Sequence, residues 1–128
     1  MAVVATPIFA QAGRHSAAAI STANTNRDGP GTIGTIFTAD ATDGSILTRI
    51  DIIATGTTTA GVVRLYIHNG SASFLWREIL VGAITPSASI AAFMRRMIVD
   101  LPLPAGWSLR ASTHNAETFN VAAWGGDF

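Results

Sequence analysis

The feature that most restricts this chain is a period-two alternation over residues 103–128. Trp107, Leu109 and Ala111 alternate with Ser108, Arg110 and Ser112, and Phe119, Val121 and Ala123 alternate with Asn120 and Ala122. Successive side chains of an extended chain point to opposite faces, so this pattern predicts two half-buried strands. Pro102, Pro104 and Gly106 predict the turn that enters the first of them, and His114, Asn115, Ala116 and Glu117 supply a polar connection between the two. The expectation is an antiparallel hairpin that closes a sandwich.

Upstream the same grammar repeats. Residues 24–31, rich in Asn, Gly and Pro, predict a surface loop, and residues 32–38 predict a strand. A turn at 40–44 precedes a long β-branched strand at 46–55. In it Ile50, Ile52 and Ala54 share one face while Arg49 and Asp51 share the other, so a one-residue slip would bury charge. Residues 56–61 form the next connection. From Val63 onward Leu65 and Ile67 are expected to face the core and Arg64, Tyr66 and His68 to face away.

Asn69-Gly70 predicts a tight two-residue type I′ hairpin, because both central positions of that turn need positive φ. The returning strand, 73–81, is apolar on both faces, which suits a subunit contact. Pro86 breaks the chain, and residues 89–101 predict a further strand in which Arg95-Arg96 leaves the inward face open. A helix over 90–97 is the competing reading. Residues 15–22 hold three alanines and make a poor strand, so a short helix is an option there. Seven or eight short strands without an alternating helix signal predict an all-β, antiparallel β-sandwich, with a jelly-roll-like topology preferred over an immunoglobulin-like one that shares the same periodicities.

The 128 residues fit one domain, here residues 15–128, preceded by an extended N-terminal arm at 1–14. That apolar start has no basic residue before it, and Gln11, Gly13, Arg14 and His15 interrupt it, so neither a signal peptide nor a membrane span is expected. Charged residues are only 12% of the chain, against about 25% in typical soluble domains, which leaves little charge to keep an isolated monomer soluble. All eight basic residues are Arg, balanced by eight acids, and this argues against direct nucleic-acid binding. There is no Cys, so neither disulfides nor thiolate metal sites contribute.

Motifs that formally suggest chemistry have plainer explanations. Gly29, Gly31 and Gly34 match G-x-G-x-x-G, but a polar loop precedes them and β-type sequence follows, whereas a dinucleotide site needs a strand before and a helix after. His15, His68 and His114 lie far apart with no ligand partners at metal-binding spacings, and no nucleophile motif accompanies His68. Glu78 and Glu117 show no pairing for glycoside chemistry. Asn69-Gly70-Ser71 reads as a sequon, yet its hairpin role accounts for it. Asp40 and Asp43 could offer oxygens to calcium, but a turn needs the same residues and the distant carboxylate of an EF-hand loop is missing. No catalytic residue, cofactor or metal is expected. Trp76, Trp107 and Trp124 suit core or interface packing better than ligand stacking. The ending Trp124-Gly125-Gly126-Asp127-Phe128 is either a disordered tail or a plug into a neighbouring subunit.

The stretch from Leu103, Pro104 and Ala105 through Gly106, Trp107 and Leu109 to Thr113 resembles small phage and prophage virion proteins. So do Asn115 to Val121 and the final Gly125-Gly126-Asp127-Phe128, and upstream Ala54 to Gly61 and Val63 to Gly70 fit the same group. The resemblance covers residues 46–128. It implies a non-enzymatic structural protein, in particular a capsid decoration or cement protein on the virion exterior, bound to the major capsid protein as a homo-oligomer, a trimer at local threefold positions. The other reading is a tail or fibre module that recognises a host-surface glycan through Trp76 or Trp124. For the decoration role the expected capsid or subunit contacts are Val3, Val4, Pro7, Ile8 and Phe9 of the arm, with Trp76, Trp124 and Phe128.

Overall fold

The computed structural model describes residue 10 and residues 12–128. Eight strands follow one another: β1 (Ala12–Ile20), β2 (Gly34–Thr38), β3 (Ser45–Ala54), β4 (Gly61–His68), β5 (Ser73–Val81), β6 (Met94–Leu103), β7 (Ser108–Thr113) and β8 (Phe119–Asp127). They form two four-stranded antiparallel sheets. Sheet A has the order β1-β8-β3-β6 and sheet B the order β2-β7-β4-β5. Apart from the β4–β5 hairpin, every connection passes from one sheet to the other, and the two sheets make a β-sandwich.

The core lies between the sheets, where alternate residues of each strand meet. Leu47, Ile50, Ile52, Phe119, Val121 and Ala123 of sheet A pack on Val63, Leu65, Leu109, Ala111 and Phe37 of sheet B, all of them buried. The expected face of β3 is the observed one, since Ile50, Ile52 and Ala54 are buried while Arg49 and Asp51 point outward. On the β1/β2 side the sandwich is closed by Arg14, whose guanidinium donates to the Thr38 carbonyl and lies 4.2 Å over the Phe37 ring.

Several expectations are corrected. Residues 12–20 form a regular strand, not a helix, paired with β8 from Ala12↔Asp127 to Ile20↔Phe119. Alanine's weak strand preference is overridden by a complete ladder of partners. The helical option at 90–97 also gives way to an extended chain, with β6 starting at Met94. The closing hairpin is absent: β7 pairs with β2 and β4, whereas β8 pairs with β1 and β3, so residues 114–118 cross between sheets. Alternation reports which face is buried and carries nothing about which strand lies alongside.

Asn69-Gly70 does not form a two-residue turn. His68 pairs with Ser73, and four residues span the gap. Only Gly70 has positive φ, at 101°, and the Asn69 side chain accepts from the amides of Ser71 and Ala72 at 3.0 and 2.9 Å. At 40–44 the expected turn is present, with Asp40 Oδ2 accepting from the Thr42 and Asp43 amides.

The largest correction concerns the outer face of sheet B. Arg64 and Tyr66, expected in solvent, are 2% and 0% exposed. The loop between β1 and β2 folds back over them, and its Ala23 bridges to Thr113. That loop exposes backbone carbonyls that require donors once water is excluded. Arg64 Nη1 donates to Asn24 O at 3.1 Å and Tyr66 Oη donates to Asn26 O at 2.9 Å. Asn24 is itself buried and its Nδ2 reaches the carbonyls of Pro30 and Thr32.

Gly125 gives a direct test of the sheet. A Cβ there would overlap the Ile46 carbonyl oxygen on β3, and backbone cannot yield as a flexible side chain does. Gly125→Ala is expected to lower unfolding free energy by about 3 kcal/mol or more in urea titration, whereas Gly13→Ala, which meets nothing within 4 Å, stays within about 0.5 kcal/mol of the parent.

Candidate functional site

Three surfaces hold the side chains capable of recognition or chemistry. The first is the polar cluster under the β1–β2 loop. Arg64 donates through Nε to Glu78 Oε2 at 3.0 Å, and its Nη2 lies 3.2 Å from His114 Nδ1. Arg27 from the loop also donates to Glu78 Oε2, at 2.9 Å. One carboxylate thus joins the loop to the sheet. The Arg27 hydrogen bond, with help from Arg64, holds the Glu78 carboxyl below its ordinary value of 4.5. With Arg64 engaged through every nitrogen, this cluster fastens the loop to the sheet.

Beside it, a groove of about 390 Å³ runs between the loop and the β4–β5 connection, lined by Asp28, Ile33, His68, Ser73 and Arg110. His68 Nδ1 and Ser73 Oγ are 2.9 Å apart. A nucleophilic serine needs its histidine oriented by a carboxylate, and no such hydrogen bond to His68 occurs among the described residues. His15, His68 and His114 lie in three separate places, and no group of three or more His, Asp or Glu side chains suits a metal ion among the described residues.

The second surface is the outer face of sheet A. Cross-strand register sets His15, Trp124 and Arg49 in one row. His15 stacks on Trp124 with ring centroids 6.2 Å apart, and Arg49 lies 4.2 Å over the same ring. Arg49 also donates to Asp51 Oδ2 at 3.0 Å, and Arg96 approaches Asp51 Oδ1 at 3.5 Å. Trp124 is therefore sandwiched by its own neighbours. At the end of this sheet an apolar groove of about 450 Å³ is lined by Pro102, Leu103, Pro104, Ala105 and Phe128, with Asp43 at its rim. Phe128 is half-buried there, its amide bonded to Gly44 O.

The third surface is the side of the sandwich where β5 and β6 are the outer strands. The exposed large apolar residues are Phe74, Leu75 and Leu80 on β5, Met94 and Ile98 on β6, Ile90 in the connection between them, and Ile53 opposite Met94. None lies on β1 or β2. Leu80 is 79% and Ile98 78% exposed. Isolated exposed apolar residues are ordinary, whereas these are concentrated on the outer strands β5 and β6 and the segments beside them.

The residues expected from sequence are not gathered in one place. Trp76 sits where the β4–β5 register shifts, half-buried against the core with Arg77 4.7 Å over its ring. Trp124 and Phe128 belong to the face and the end of sheet A. Val3, Val4, Pro7, Ile8 and Phe9 lie outside the described residues. The two-sided apolar character of 73–81 did point to β5. Met94 and Ile98 were obscured by Arg95-Arg96, which made neither parity of that strand look internal.

No helix among the described residues is long and apolar enough to cross a membrane. No family model matches the chain, and no curated protein matches it in sequence. Among solved structures it is similar to the nucleoplasmin-like N-terminal domain of Drosophila FKBP39, at 10% identity over 91% of each chain with a TM-score of 0.37. It is similar also to dimeric latent PorU from Porphyromonas gingivalis, at 14% identity and TM-score 0.38, over 97% of this chain and 14% of that one. A chain of the cyanophage Pam1 capsid asymmetric unit aligns at 15% identity and TM-score 0.39, over 99% of this chain and 94% of the other. At these scores the likeness is one of general shape, and nothing about function is taken from it.

The Glu78 cluster predicts an acid limb of stability. A carboxyl whose folded value lies below its unfolded one stabilises the fold above the unfolded value, and that contribution disappears as pH falls through the folded one. The denaturation midpoint should therefore hold steady from neutrality toward pH 5 and drop below about 4.5. Glu78→Gln should lower the midpoint at neutral pH and converge on the parent in acid.

Proposed function

We propose that this chain is a structural protein of a phage virion, a capsid decoration protein that binds the outside of the major capsid lattice as a homo-oligomer and stabilises it. The observation that carries this reading is the gathering of exposed apolar side chains on the β5/β6 side of the sandwich. In a chain with 12% charged residues and no Lys, such a side is built to be covered. The resemblance of residues 46–128 to small phage virion proteins supports the same assignment. The function is mechanical: each apolar contact made with the lattice is one more interface to break before the shell opens under internal pressure. Phe74, Leu75 and Leu80 of β5 are assigned to the lattice contact, together with Val3, Val4, Pro7, Ile8 and Phe9 of the arm. Neither an enzymatic step nor direct contact with nucleic acid belongs to this role.

Quantitative mass spectrometry of purified virions tests it. Hundreds of copies per particle, in fixed ratio to the major capsid protein, are expected. A few copies, or a dozen or so, would instead place the chain in the tail and favour the glycan-binding alternative. In the same particles Leu80→Asp is expected to release the protein from the capsid without lowering its own melting temperature, since that side chain contributes little to the core.

A further inference from the structure

Among the described residues β6 is an outer strand of sheet A, hydrogen-bonded only to β3. At ten residues it is as long as any strand of the sandwich, and its residues alternate in exposure from Arg96 to Leu103, although its pairing with β3 shifts register between Ile98 and Leu101. Leu101 and Leu103 are buried, Met97 and Val99 pack on the core edge, and the intervening Met94, Arg96, Ile98, Asp100 and Pro102 are exposed. Its free backbone edge and its two large exposed apolar side chains are a hazard for a monomer, which natural proteins avoid by covering or charging such an edge.

The charges on this file are arranged as they must be for self-pairing. Arg96 stands two residues before Ile98 and Asp100 two residues after it. A second β6 run antiparallel about a twofold axis through Ile98 sets Arg96 of each copy opposite Asp100 of the other. It also sets Ile98 against Ile98, Met94 against Pro102, Met97 against Val99, and Arg95, whose exposed guanidinium stem must extend past the strand end, against Leu101. Every opposed pair then lies on a common face, as antiparallel pairing requires. Moving the axis to Met97 puts Arg96 opposite Ile98 and Met94 opposite Asp100, and moving it to Val99 puts Asp100 opposite Ile98, so each loses both ion pairs. Asp100 has no ion-pair partner among the described residues, and Arg96 reaches Asp51 only at 3.5 Å. Pro102, which lacks a donor, falls at the end of the ladder where that costs least.

We propose that β6 is a self-association edge: two copies of this chain join β6 to β6 about a twofold axis at Ile98, and their two A sheets become one eight-stranded sheet. The isolated protein is then a twofold dimer, in place of the trimer that the resemblance implies. The pairing is a property of the chain alone and does not rest on the virion assignment.

Sedimentation equilibrium of the full chain over roughly 1–100 µM tests this. The parent is expected as a dimer. Arg96→Asp and Asp100→Arg each place like charges opposite one another twice, and each should raise the dissociation constant about 10- to 100-fold. An equimolar mixture of the two variants should recover the dimer, because in the mixed pair both junctions again join opposite charges. The double variant R96D/D100R should recover it as well. Both side chains are exposed, and D100R disturbs no contact of the parent, so unchanged thermal melts separate loss of pairing from loss of fold. A parent that sediments as a monomer or a trimer, a dimer indifferent to both reversals, or a mixture that stays monomeric would overturn the proposal.

Discussion

The buried guanidinium of Arg64 is the interaction on which the outer half of the structure depends. β4 is covered on both faces, by the core through Val63 and Leu65 and by the β1–β2 loop above Arg64 and Tyr66. A loop laid on a sheet brings carbonyls that water can no longer reach, and each would cost about 1–3 kcal/mol if left without a donor. Arg64 meets the loop backbone at Asn24 and Tyr66 meets it at Asn26. The charge this introduces is neutralised by Glu78, which also takes Arg27 from the loop, so one carboxylate ties two layers together.

The consequence is an asymmetric molecule. One outer face carries a polar, loop-covered layer, and the β1/β2 side is closed by Arg14 over Phe37. The large exposed apolar residues among the described residues lie on the opposite side, at β5, β6 and the segments beside them. Three cationic groups elsewhere are turned to internal use: Arg49 lies between Trp124 and Asp51, Arg14 near Asp127, and Arg64 under the loop. A protein arranged in this way directs its recognition to the β5 and β6 edges through apolar surface and strand backbone, with few charges to set the register. On β6 those charges are Arg95, Arg96 and Asp100, of which Arg96 and Asp100 flank Ile98 on the outer file.

Much of the fold was legible in the residues. Period-two alternation located most of the strands, β1 being the exception, and Gly, Pro, Asn and Asp located the loops, because both signals depend on neighbours within a few residues. The parity of β3 was legible for the same reason, since Arg49 and Asp51 admit only one orientation. The site was less legible. Trp76, Trp124 and Phe128 stood out by residue type, yet each is occupied by contacts within its own surroundings, while Met94 and Ile98 became notable only once β6 proved to be an outer strand. The hairpin expected of β7 and β8 failed because consecutive strands with matching patterns pair locally or cross between layers with equal local signals.

The sequence by itself determined that the chain is chiefly β, that it holds no thiol, and which residues of β3, β7 and β8 face inward. Those are short-range matters of side-chain chemistry and backbone preference. Only the tertiary structure decided the strand order, the burial of Arg64 and Tyr66, and the identity of the uncovered edges. The physical reason is that alternation fixes two faces for every strand but leaves open what lies over each face and along each edge. Burial of a charged residue depends on a partner such as Glu78, 14 residues distant in sequence, and on a loop 40 residues away that supplies the cover.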